Sequence, residues 1–140
     1  MNTKTTIDLN KFCASETSRY PNMRRPFTRG DFTYATNGDV VVRIPAVPSV
    51  GLNENAPAAE KLQWWDLVIT NDQWLSIQDL ESNLLGEEVT IGSKSISSLY
   101  LQLLQELPGI LVAPDATPKK NAIPFKFDGG CGLLMPLNQF

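Results

Sequence analysis

Apolar residues recur along this chain with two periods, and the clearer one lies in the last third. Ile96, Leu99, Tyr100, Leu103, Leu104 and Leu107 fall at i, i+3, i+4, i+7, i+8 and i+11. That spacing places them on one stripe of a helix. Ser97 or Ser98 can cap its start, and Pro108-Gly109 stops it. Three short β-rich runs follow, Ile110–Ala113, Ile123–Phe127 and Gly132–Leu137, each bounded by Pro, Gly or Asp. Ser95–Leu137 therefore reads as a helix laid across a small antiparallel sheet.

The second period is two. Phe32–Thr36 and Val40–Ile44 flank Asn37-Gly38, a dipeptide suited to the tight turn of a β-hairpin. A turn centred on Asn37-Gly38 sets Ala35 opposite Val40, Tyr34 opposite Val41, Thr33 opposite Val42 and Phe32 opposite Arg43. Upstream, Leu9, Phe12 and Cys13 share a helical face within Ile7–Tyr20. Pro45–Pro57 reads as a loop, Ala58–Trp65 as a helical turn and Asp66–Thr70 as a short strand. Thr70-Asn-Asp-Gln73 has the form of a capping box. Trp74, Ile77, Leu80, Leu84 and Leu85 continue it as a helix that Gly86 can end, and Glu88–Ile91 is a strand. The sum is a single α+β domain spanning residues 1–140, an antiparallel sheet with two or three helices.

Composition narrows the function classes. The chain has 140 residues, 42% hydrophobic and 19% charged, which suits a globular domain with a real core. No apolar run is long enough to cross a bilayer, and Met1–Asn10 lacks the apolar region of a secretory signal. A cytoplasmic protein is the expectation. Cys13 and Cys131 are too few for a disulfide framework, so two reduced thiols are expected.

The net charge of −3 is unevenly spread. Residues 1–43 hold seven Lys/Arg against four Asp/Glu, a net of +3. Residues 44–117 hold two against ten, a net of −8, and residues 118–140 hold three against one, a net of +2. Overall acidity disfavours a generic nucleic-acid binder, although the two chain ends could build a basic face.

The sequence has no histidine. The commonest general base, the commonest metal ligand and every Ser–His or Cys–His nucleophile are thereby missing. Gly129-Gly130-Cys131-Gly132 lies between two expected strands with no helix after it, which suits a hairpin turn better than a phosphate cradle. Glu87-Glu88 and the Asp79/Glu81 pair have no spacing diagnostic of a metal or acid–base site. The reading is a non-enzyme with no cofactor and no metal. A carboxylate-only metal hydrolase is the residual enzymatic alternative.

Several of these residues together resemble a known family. They are Glu88-Val-Thr-Ile-Gly, the run Ser97–Leu107, Ile110-Leu-Val-Ala-Pro-Asp and the closing Leu133-Leu134-Met135-Pro136-Leu137. In this order they are similar to the end of a bacterial DNA polymerase III beta sliding clamp subunit. The resemblance implies a clamp-like half-domain of strand, helix and three strands, with Asp31–Ile44 as the preceding strand pair. It covers about one of the three domains of a full clamp subunit. Clamp helices offer basic residues to DNA. Here the outward side of Ser97–Leu107 shows Ser98, Gln102, Gln105 and Glu106, which opposes encircling a duplex. The small size and lack of a catalytic set also resemble an accessory protein of a bacteriophage or prophage.

Two binding modes follow as expectations. In the first, an acidic surface with Trp64, Trp65, Asp72, Asp79 and Glu81 contacts a basic protein partner. Such a surface could mimic phosphate and inhibit a nucleic-acid-handling or defence complex. In the second, Arg24, Arg25, Arg29, Arg43, Lys119 and Lys120 form a basic face for nucleic acid. A homo-oligomer is open to either mode, and a membrane partner to neither.

Overall fold

The computed structural model describes residues 8–14, 23–51, 74–76, 84–85, 88–91, 94–114 and 122–136. A single 3-10 turn, Leu9–Phe12, comes first, capped by the Asp8 carboxylate accepting from the Asn10 amide. Three strands follow: β1 (Phe27–Arg29), β2 (Phe32–Thr36) and β3 (Val40–Pro45). The short β4 (Leu75–Ser76) precedes β5 (Leu84–Leu85), β6 (Glu88–Ile91) and β7 (Lys94–Ser97). Helix α1 (Ser98–Gln105) leads to β8 (Leu111–Val112), β9 (Ile123–Phe127) and β10 (Gly130–Leu134).

Seven strands form one sheet in the order β1-β2-β3-β10-β9-β8-β4, with every neighbouring pair antiparallel. Strands β5, β6 and β7 form a separate three-stranded antiparallel meander. The expected α+β domain with two or three helices is thus corrected to a largely antiparallel β architecture. Among the described residues α1 is the one α-helix.

The corrections have local causes. In Ile7–Tyr20 only Leu9 and Phe12 are buried, and Cys13 turns extended, so a single turn satisfies the apolar pair. Within the expected Trp74–Leu85 helix, Leu75–Ser76 and Leu84–Leu85 are strands. Leu75 pairs with Val112 and Leu84 with Val89, so cross-strand pairing overrides helical spacing. Ile96, placed on the helix stripe by its spacing, lies instead on β7 opposite Val89. The segments Ala58–Trp65 and Asp66–Thr70 and the capping box at Thr70–Gln73 lie outside the described residues.

The hairpin at Asn37-Gly38 is present, with its turn one residue further along. Tyr34 pairs with Arg43, Ala35 with Val42 and Thr36 with Val41. Gly38 and Asp39 become the central pair, and Gly38 takes a φ of 97°. Gly38 at the first central position suits a turn that needs one positive φ, whereas a turn on Asn37-Gly38 needs two. Moving the turn by one residue shifts each partner by two, so every side chain keeps its face.

Two clusters cover the two faces of the large sheet. On one face Ala35, Val40, Val42, Val112, Ile123, Phe125 and Leu134 meet Leu9 and Phe12 of the 3-10 turn, together with Leu101, Leu104 and Leu107. On the other, Phe27, Tyr34, Val41, Ala122 and Leu133 pack together, with Phe32, Trp74 and Cys131 at their margin. Thr28 and Thr33 are buried but satisfied. Their hydroxyls share a 2.8 Å hydrogen bond, Thr28 Oγ1 donates to the Val50 carbonyl and Thr33 Oγ1 accepts from the Val47 amide. These bonds fasten residues 47–50 to β1 and β2.

Helix α1 starts at Ser98, with Ser97 Oγ accepting from the Leu99 amide as its N-cap. With two turns only, its core face is Leu101 and Leu104, with Tyr100 and Leu103 half-buried. Leu99, assigned to the apolar stripe by its spacing, is 72% exposed. Among the described residues no helix is long and apolar enough to cross a membrane.

Candidate functional site

One end of the sheet gathers groups from three distant segments. Asn37 Oδ1 accepts from the backbone amides of Asp39 (2.9 Å) and Val40 (3.1 Å), which fixes the tip of the β2–β3 hairpin. Asn37 Nδ2 donates to Tyr100 Oη at 3.0 Å, and the Tyr100 phenol donates to Asp39 Oδ2 at 3.3 Å. The Met135 amide donates to the Asp39 carbonyl at 2.7 Å, so the chain leaving β10 joins the same tip. Burial holds the Tyr100 phenol above its ordinary pKa. The Asn37 bond opposes that shift and the Asp39 charge adds to it. At pH 7 the phenol is therefore a neutral donor.

Around this polar network stand two large apolar side chains. Leu99, next to Tyr100, is 72% exposed, and Met135 is 45% exposed. Asp39 between them is exposed as well. The arrangement is a carboxylate flanked by a leucine and a methionine on a backbone fixed by hydrogen bonds. It has no nucleophile and no base, and its chemistry is recognition.

The second sheet face carries cations. Strand alternation puts Arg29 on the side of Phe27, and Arg43 and Lys126 on the side of Tyr34 and Cys131. The Arg43 guanidinium lies 4.2 Å from the Phe32 ring centroid, and Lys126 Nζ lies 4.7 Å from that of Trp74. These are cation–π distances.

The expected basic set is only partly brought together. Arg29 and Arg43 share the second face. Arg25 is exposed in the segment before β1, donates to the Arg24 carbonyl at 3.2 Å, and acts electrostatically on Cys13, which packs at the margin of the first-face cluster. Arg24 is half-buried beside it. Lys119 and Lys120 lie outside the described residues, as do Trp64, Trp65, Asp72, Asp79 and Glu81. Lys126 was not singled out by the sequence reading. Its signal was present in the alternation of Ile123–Phe127, which sets Lys126 against the apolar residues on either side of it. Leu99 and Met135 were missed as surface residues because both belong to apolar runs.

Cys13 and Cys131 are both free thiols and belong to the clusters on opposite faces. Burial raises the Cys13 pKa to about 11, with a Thr36 backbone bond and the Arg25 charge pulling the other way. Among the described residues no three of His, Cys, Asp and Glu converge as a metal site. The glycine-dense run forms the β9–β10 hairpin, with Gly129 at a φ of 101° and Phe127 paired with Gly130.

No family model, no curated protein and no solved structure matches this chain.

Proposed function

We propose that this chain is a non-enzymatic binding domain that docks a protein partner at the hairpin tip, through Leu99, Met135 and Asp39. The observation that carries the reading is the 72% exposure of Leu99 on a helix whose neighbouring leucines are buried. An exposed leucine costs solubility and adds nothing to the core, so a contact that covers it recovers burial free energy. Methionine adapts to irregular partners and is enriched at interfaces. Asp39 between the two selects a partner that offers a cation to the carboxylate.

A partner with apolar and basic groups side by side fits this surface. Proteins that handle nucleic acid present such basic patches, and an acidic domain seated there takes the place of phosphate. Inhibition of such a complex, by a protein of phage or prophage origin, is the biological form the proposal takes.

The test is a pull-down from bacterial lysate with the full chain as bait, run beside Leu99→Asp/Met135→Asp, Asp39→Lys and the distant control Asp31→Asn. A stoichiometric partner held by the wild type and the control, and lost from the other two, is the expected outcome. Recovery of no stoichiometric partner, or equal recovery by the double variant, defeats the reading.

A further inference from the structure

The second face of the large sheet has a charge pattern that the hairpin tip does not use. Cys131 stands opposite Arg43 on one side and opposite Lys126 on the other. With strands about 4.8 Å apart, the two cations rise from backbones about 10 Å apart across the sheet. Arg29 stands opposite Phe32 on the edge strand β1. Among the described strand residues of this face there is no Asp or Glu. Three like charges thus share one face of a chain whose net charge is −3.

The rings fix two of these cations. Phe32 lies under Arg43 and Trp74 under Lys126. Stacking occupies the flat side of a guanidinium, while its N–H donors lie in the plane and fit a phosphate edge. Arg29, Phe32, Arg43, Trp74, Lys126 and Cys131 are all half-buried, so the strip is reached from solvent. Burial raises the Cys131 pKa despite the Arg43 hydrogen bond, so the thiol between the cations stays neutral and cancels none of their charge.

We propose that this face binds the phosphodiester backbone of a single-stranded nucleic acid, with Arg29, Arg43 and Lys126 as its phosphate contacts. A single strand is favoured over a duplex because Phe32 and Trp74 sit among the cations, and only unpaired bases can stack on such rings. The site is separate from the hairpin tip, and neither depends on the other.

Fluorescence anisotropy of a short labelled single strand tests the assignment on the full chain. Three phosphate contacts predict that affinity falls about 20-fold between about 50 and 200 mM salt. Lys126→Gln and Arg29→Gln, each checked for folding by circular dichroism, should each weaken binding and lower the salt slope by about 0.7. The Lys119→Gln/Lys120→Gln pair should leave binding unchanged. Any of four results overturns the proposal: no strand binding at the lower salt, inorganic phosphate binding without strand binding, tighter binding of the matching duplex, or loss through Lys119 and Lys120 while the Lys126 and Arg29 variants bind normally.

Discussion

The Tyr100 phenol reaches Asp39 Oδ2 at 3.3 Å, a contact between residues 61 positions apart in the chain. It ties the start of α1 to the tip of the β2–β3 hairpin. With Asn37 donating to the same phenol at 3.0 Å, helix and hairpin are held as one surface. Removing the hydroxyl with Tyr100→Phe keeps the ring and deletes both bonds. A loss of about 1 kcal/mol in urea unfolding is expected. The double variant with Asp39→Asn should lose less than the sum of the two single losses, because the two residues share a bond. Full additivity would mean that the contact contributes nothing.

Gly132 sets a sharper steric limit. A Cβ there would run into the Phe125 ring and the Val41 carbonyl oxygen. Phe125 is fully buried and occupies the space that a side chain on β10 would need. Gly132→Ala should destabilise the fold by about 1–3 kcal/mol, the usual range for overpacking. Gly51→Ala, where a Cβ meets nothing within 4 Å, is the matched control and should be neutral or slightly stabilising. Chemical denaturation of both variants gives the comparison.

The leucines of α1 divide by role. Leu104 is buried in the core of the first face, and Leu104→Ala should cost about 2–5 kcal/mol. Leu99→Ser should change stability by less than about 0.5 kcal/mol, as surface substitutions do. A large loss at Leu99 would place it in the core and remove the basis for the docking surface.

Cys13 makes stability depend on alkaline pH. Burial lifts its thiol from an ordinary 9.0 to about 11 in the folded chain. Between those values the native state binds more protons than the unfolded state, so stability falls as pH rises. The contribution is fully present below pH 9 and is lost by about pH 11. Cys13→Ser should flatten that part of a pH–stability curve. The same shift predicts slow alkylation of Cys13 at pH 8, because the thiolate is the reactive form.

Much of the strand content was legible in local pattern. Ile123–Phe127 is a strand with the bounds its composition suggests, and the turn near Asn37-Gly38 follows from glycine's access to positive φ. The helix cap at Ser97 was equally local. Trp74–Leu85 misled because Trp, Ile and Leu at helical spacing also suit short strands once partners are available. Leu75 found Val112, and Leu84 found Val89. For the candidate surfaces, the residue types could be read from the sequence but their grouping could not. Asp39, Leu99 and Met135 meet only because three segments converge.

The amino-acid order by itself determined where the chain turns, where α1 begins and ends, and that no histidine chemistry is available. Those properties depend on φ preferences, capping and side-chain inventory, all of which act within a few residues. Only the tertiary structure decided that β10 slots between β3 and β9, that Leu101 rather than Leu99 enters the core, and that Arg43 and Lys126 flank Cys131. Strand order and register arise from the joint burial of two sheet faces, a balance of many distant contacts that no local window of sequence contains.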